Sequence, residues 1–186
     1  MIEASALAAL VSAAHFDSDG EAMKSRELIL MLLRETPHPF SRGQFTPGHI
    51  TATGLVSSPD GGRLLLVHHR RLDRWLLPGG HVEHGDAAIR DTARREVVEE
   101  TGAVLAEDAA PLLVSLDVHG IPERRSEPYH LHHDIVFQFH ALAELLQVSA
   151  ESRAVAWCSP EEFDRYNLPF NVRRAWARAA ARSTLV

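Results

Sequence analysis

Arg95-Glu96-Val97-Val98-Glu99-Glu100-Thr101-Gly102 places three glutamates at i, i+3 and i+4, and a helix with 3.6 residues per turn gathers such a set on one face. Ile89, Ala93 and Val97 recur on a second, apolar face that can lie on a sheet. The helix is expected from about Ala87 to Thr101, with Asp86 as its N-cap and Gly102 as the residue that turns left-handed at its end. Carboxylates so close repel unless protons or cations offset them, and a hard divalent ion that prefers oxygen is the natural complement. Taken alone, the turn reads more plainly as a solvated helix whose glutamates pair with Arg94 and Arg95. Its context argues otherwise: Gly79-Gly80 lies upstream, where backbone carbonyls could reach the same ion, and the helix stops directly after the cluster.

Outward from this helix, His49 to Ser57 and Arg63 to His69 flank Asp60-Gly61-Gly62 and predict two antiparallel strands joined by a tight turn. The run Leu64-Leu65-Leu66-Val67 is apolar on both faces, which calls for cover on both sides. Downstream, strands are expected at Leu112 to His119 and His130 to His140, across a polar loop containing Pro122 and Pro128. Ser159-Pro160-Glu161-Glu162 reads as an N-cap with proline at the first helical position, and Asn171 as the cap of a last helix through about Arg182.

Upstream, Ile2 to Ala14 and Glu21 to Arg34 have helical spacing around the polar break Asp17-Ser18-Asp19-Gly20, so residues 1–36 predict a helical hairpin. Asp17 and Asp19 read as loop and cap residues. Pro37 and Pro39 end the pattern, leaving residues 37–186 as the domain that carries the chemistry. Leu28, Ile29, Met31, Leu32 and Leu33 are too many apolar side chains for a lone helix in water. They must pack on the domain or on a second subunit, which keeps a homodimer open.

The stretch Gly80-His81-Val82-Glu83-His84-Gly85-Asp86, then Ala87 to Arg94, then Arg95 to Gly102 resembles the Nudix signature. That signature runs glycine, five residues, glutamate, seven residues, Arg-Glu, an aliphatic residue, any residue, Glu-Glu, any residue and glycine. Three departures stand out: eight residues separate Asp86 from Arg95, aspartate replaces the usual glutamate at 86, and Ala103 is small for the aliphatic that follows. The likeness extends over about Gly48 to Trp157, through Trp75-Leu76-Leu77-Pro78-Gly79-Gly80. It implies the α/β class, an α/β/α sandwich around a mixed sheet, and hydrolysis of a nucleotide or other organic diphosphate. It also implies that Glu96, Glu99 and Glu100 hold Mg²⁺, with Mn²⁺ as a substitute, that Arg95 orients them, and that Gly80 offers its carbonyl. The general base varies within the family; Glu99 and Glu151 are the candidates here. A non-catalytic nucleotide-diphosphate sensor on the same fold is the alternative, weakened by the presence of all three glutamates and Arg95.

In His130-Leu131-His132-His133-Asp134-Ile135-Val136-Phe137, strand geometry puts His130, His132 and Asp134 on one face. Neighbours there lie about 6.5–7 Å apart, a spacing suited to touching substrate phosphate or a second metal. An exposed polar face fits the same pattern equally well. A zinc or iron enzyme built on these three residues is a rival, disfavoured because they lack the helical spacing of zinc hydrolases. His68, His69, His81 and His119 end elements that adjoin the glycine turn or this strand, so they are expected nearby. Cys158, without a paired histidine and acid, reads as inert.

Composition narrows the setting. A chain of 186 residues with 45% hydrophobic and 24% charged residues fits one folded core. A net charge of -6 without a long basic run argues against duplex nucleic acid. The single Cys158 cannot form an internal disulfide, and Glu3 stands where a secretory signal would carry a cation, so the cytoplasm is expected. The apolar run Leu28 to Leu33 is far short of the roughly 20 residues that span a membrane. The partner is therefore expected to be a small diphosphate compound, with its attached groups undetermined.

Overall fold

Helical spacing and strand alternation are realised in the order α1 (Ala4–Ser12), α2 (Gly20–Glu35), β1 (Gly48–Ser57), β2 (Leu64–His69), β3 (Arg74–Leu76), β4 (Gly79–His81), α3 (Ile89–Thr101), β5 (Leu113–Ile121), β6 (His130–His140), β7 (Ser152–Cys158) and α4 (Phe170–Ser183). A short 3-10 turn, Pro160–Glu162, precedes α4. The computed structural model describes residues 2–16, 19–107, 112–124 and 127–183; Asp17 and Ser18 of the polar break lie outside them.

Among the described residues the strands form one mixed sheet of seven. β1 runs parallel to β6 along its length, from Gly48 opposite Leu131 to Ser57 opposite His140, and β5 adds antiparallel to β6. On its other edge β1 meets β4 antiparallel over Thr51 to Thr53, while β2 pairs antiparallel with both β3 and β7. The expected hairpin is present, with Gly61 at φ 75° in its turn, but β1 and β2 register only at Ser57 opposite Leu64. β4 and β7 occupy the edges on which a longer hairpin ladder would have formed. Sequence alone gave no signal for β3 and β4, which are three residues each, or for β7.

Alternation then sorts the core. Ile50, Ala52, Val56, Leu65, Ile135, Phe137 and Phe139 pack on one face with α1, α2 and α3. Leu55, Leu64, Leu66 and Val136 pack on the other with Ala175, Trp176 and Ala179 of α4. The result is the expected α/β/α sandwich, and the Leu64 to Val67 run is covered on both sides. The hairpin shares this core rather than forming one of its own: Leu7, Val11, Ile29, Leu32 and Leu33 are buried in it. Leu28 and Met31 face outward at 42% and 50% exposure, so only part of that apolar run packs on the domain. Asp19 caps α2 through the Ala22 amide (3.1 Å) and pairs with Arg174 and Arg178 of α4 at 2.8 and 2.7 Å. Among the described residues no helix is long and apolar enough to cross a membrane.

Two helix starts differ from expectation. α3 begins at Ile89, after Ala88, because Asp86 is buried and turned to Arg95 instead of to free amides of the first turn. Asp91 takes up part of the capping role, accepting from the Ala88 amide at 2.9 Å. α4 begins at Phe170, where the Pro169 carbonyl accepts from the Arg173 amide, so Asn171 lies inside the first turn and not at the cap. Gly102 ends α3 as expected, at φ 64° with its amide on the Val98 carbonyl (2.8 Å).

Candidate active site

Ile89, Ala93 and Val97 hold α3 against the sheet, and Val97 lies so close to Gly54 that a Cβ there would approach its Cγ2 to 2.2 Å. This close approach turns Glu96, Glu99 and Glu100 toward an open cleft of about 1220 Å³. Glu100 is buried and accepts from the Gly79 amide at 3.0 Å, while Glu99 is half exposed. Space excludes a side chain at Gly79, where a Cβ would sit 2.8 Å from the Ala52 carbonyl oxygen, and one at Gly80 would displace the Glu96 carboxylate, 2.6 Å away.

Arg95 organises the cluster. It forks onto Asp86 through Nε and Nη2, both at 3.1 Å, reaches Glu96 and Glu99 through Nη1 at 3.0 Å each, and donates to the His81 carbonyl at 2.8 Å. Asp86 also accepts from the Glu83 amide and the Thr92 hydroxyl, at 2.9 and 2.8 Å. The added residue in the signature is thus absorbed in the loop before Ile89, and Asp86 still meets the arginine.

One arginine does not offset so many carboxylates. Burial raises the proton affinity of Glu100, which the Gly79 amide opposes and Glu96, Glu151 and Glu99 reinforce, to a pKa of about 7. Burial likewise raises Glu96, against the pull of Arg95. The unmet negative charge and all-oxygen donor set fit a hard divalent cation. Glu151, an exposed residue just before β7, lines the same cleft and acts electrostatically on Glu96 and Glu100, so both candidates for the base face the cluster.

The β6 stripe divides. His132 and Asp134 line the cleft, whereas His130 is buried outside its lining, with Nδ1 at 2.8 Å from the Pro128 carbonyl. Asp134 is buried and accepts from Thr51 and Thr53 hydroxyls at 3.0 and 2.9 Å; burial raises its pKa. His81 and His119 do gather around His132, at ring distances of 5.2 and 5.7 Å. Burial, followed by repulsion from neighbouring imidazoles, depresses His81 to about 4 and His132 to about 2, so both are neutral bases near pH 7. Burial also pulls His119 down, yet the Asp117 carboxylate at 2.8 Å outweighs it and leaves the pKa raised. His68 instead packs edge-on against Trp75, and His69 Nδ1 accepts from the Arg71 and Leu72 amides.

Sequence reasoning missed His49, which parallel pairing sets opposite His132, and the arginines at the cleft, including Arg42, Arg70, Arg71, Arg74 and Arg124. The arginines come from separate loops and strands, so no basic run announces them, but together they suit a polyanionic substrate. Cys158 is buried on the far core, its thiol pushed up to about 11 by burial, consistent with an inert residue.

A family model described as NUDIX domain matches residues 48–179. A protein of Bacillus subtilis (strain 168), provisionally named an 8-oxo-dGTP diphosphatase, is 30% identical over 112 residues, 60% of this chain and 68% of its own. A MutT-like protein of Streptomyces ambofaciens is 30% identical over 113 residues, 61% of this chain and 65% of its own. The chain therefore spans about two thirds of the length of these curated relatives. Among solved structures, the NUDIX domain of Shewanella oneidensis NrtR, complexed with ADP ribose, is 19% identical with a TM-score of 0.51, covering 84% of this chain and 97% of that one. The E. coli dihydroneopterin triphosphate pyrophosphohydrolase is 19% identical with a TM-score of 0.53, covering 72% and 95%. At these identities the solved structures speak for the fold.

Proposed function

The chain belongs to the Nudix family of hydrolases, and from that premise we propose that it cleaves a diphosphate linkage in a nucleotide or other organic diphosphate with Mg²⁺ as its ion. The observation that carries this reading is one open cleft lined both by Glu96, Glu99, Glu100 and Glu151 and by arginines from separate segments. A bound divalent ion supplies charge for the diphosphate oxygens and lowers the pKa of an attacking water. Glu96, Glu99 and Glu100 would hold that ion together with the Gly80 carbonyl, and Arg95 fixes the orientation of Glu96 and Glu99. Glu99 or Glu151 takes the water's proton, while Arg70, Arg71 and Arg74 bind phosphate oxygens. His132 and Asp134 line the substrate side of the cleft, Asp134 held there by the Thr51 and Thr53 hydroxyls, and His130 packs against the His132 ring at 5.3 Å.

The names of the curated relatives make nucleoside triphosphates the first compounds to try. The test is a panel of nucleoside triphosphates, dinucleoside polyphosphates and nucleoside diphosphate sugars with Mg²⁺ and with Mn²⁺, reading phosphate released after a coupled phosphatase. Metal-dependent turnover of at least one compound that Glu99→Gln removes supports the reading. Tight binding without turnover across the panel would favour a sensor on the same fold.

A further inference from the structure

Sheet register, not sequence proximity, gathers a second group of possible ligands. Parallel pairing sets His49 of β1 opposite His132 of β6, and antiparallel pairing sets His81 of β4 opposite Thr51, two residues along from His49 on the same face. The ligand-capable atoms of His49, His81 and His132 all lie within 4.8 Å of one another. His49 is 1% exposed, and its Nδ1 lies 3.0 Å from the Gln44 carbonyl, so that nitrogen donates and Nε2 keeps a free lone pair. Nε2 is buried and meets no hydrogen-bond partner. An acceptor left empty at that depth is costly, and a metal-ligating imidazole characteristically gives its other N–H to a carbonyl as His49 does.

From this geometry we propose that His49, His81 and His132 form an imidazole metal site, distinct from the glutamates of α3, that takes one divalent transition ion of the Zn²⁺ class. Three neutral nitrogens select zinc, cobalt, nickel or copper over Mg²⁺, whereas carboxylates and water select Mg²⁺. In a tetrahedral zinc site, Zn–N bonds of about 2.0–2.1 Å place the nitrogens about 3.3 Å apart, so nitrogens now within 4.8 Å of one another close by up to about 1.5 Å on binding. Three protein ligands leave the fourth position to water or a phosphate oxygen, and two of the three, His81 and His132, line the cleft. The set differs from the His130, His132 and Asp134 group that sequence offers. His130 Nδ1 is committed to Pro128, and Asp134 is engaged by the Thr51 and Thr53 hydroxyls.

The test uses the untagged full-length chain, stripped with a chelator, as wild type and with Glu96, Glu99 and Glu100 all changed to Gln to silence the carboxylate site. Calorimetric titration of the triple variant with Zn²⁺ is expected to show one site, and Co²⁺ to give the visible bands of a nitrogen-ligated ion. His132→Ala and His49→Ala in that background are expected to weaken Zn²⁺ by about 100-fold or more, with folding checked by circular dichroism. X-ray absorption at the zinc edge of wild type carrying one equivalent is expected to show scattering from three imidazoles, and it decides the matter even if a histidine variant fails to fold. An all-oxygen shell, or unchanged Zn²⁺ affinity in a folded His132→Ala, would overturn the site without touching the hydrolase reading, which depends on Mg²⁺ turnover.

Discussion

Asp86 and Arg95, separated by eight residues in sequence, are joined by two parallel hydrogen bonds of 3.1 Å, Nε to Oδ1 and Nη2 to Oδ2. The same guanidinium reaches Glu96 and Glu99, so Asp86 helps set the angle of the carboxylates proposed to hold the ion. A lysine cannot reproduce that fork. Arg95→Lys is therefore expected to fold but to lose most turnover and to need more Mg²⁺. Asp86→Ala removes a buried acceptor of three partners and is expected to cost about 2–4 kcal/mol of stability. Urea unfolding and Mg²⁺ titration of the rate check both; wild-type behaviour in Arg95→Lys would show that the fork is dispensable.

Glu99→Gln and Glu100→Gln remove charge without volume, so each should leave the circular dichroism spectrum unchanged while lowering metal-dependent kcat by about 100-fold or more. Glu151→Gln separates the two candidates for the base. If Glu151 takes the proton, kcat falls with little change in the Mg²⁺ dependence; if Glu99 does, only the α3 variants lose kcat. Full activity in both α3 variants would sink the proposed site.

Glu100 also predicts a pH signature. Burial first, then neighbouring carboxylates, lifts its pKa from 4.5 to about 7 in the metal-free fold. Between those values the folded chain holds a proton that the unfolded chain has released, so stability falls as pH rises from 4.5 through 7. Asp19 works the opposite way, since Arg178 and Arg174 hold it below 3.8 despite burial; its contribution is present above that pH and lost only in stronger acid. Comparing wild type with Glu100→Gln cancels other groups. With chelator present, wild type is expected to lose about 2–6 °C of Tm relative to the variant across the window. Mg²⁺ should restore it, and parallel curves for the two proteins would contradict the assignment.

The glutamate cluster was legible because its carboxylates lie within one helix, where spacing alone fixes a shared face. The ends of α3 were legible only in part. Gly102 acts locally, but Asp86, which could cap the helix, is claimed by the more distant Arg95. The strand histidines were half legible: alternation put His132 and Asp134 on one face, but only the parallel β1–β6 register brings His49 beside them. The cleft arginines were not legible, because they come from separate segments that the fold brings to one cleft.

The N-terminal hairpin, residues 1–36, is proposed to serve stability rather than chemistry, and the packing sharpens that expectation. Leu7, Val11, Ile29, Leu32 and Leu33 belong to the same core as Ile135, Phe137 and Phe139, and the α2 cap Asp19 is locked to Arg174 and Arg178 of α4. Removing the hairpin would uncover one face of the sheet and leave those arginines without their acid. Deletion of residues 1–36 is thus expected to give aggregated or strongly destabilised protein. Milder damage can be titrated: Leu32→Ala, at a residue 2% exposed, is expected to cost about 2–5 kcal/mol. Met31→Ala, at 50% exposure, should cost under about 0.5 kcal/mol if that face meets water. A larger loss at Met31 that depends on protein concentration would reveal a second subunit there. Neither helix lines the cleft, so kcat of folded Leu32→Ala, assayed well below its Tm, should match wild type. A folded Leu32→Ala with no activity would contradict the division of labour and tie the hairpin to the shape of the substrate cleft.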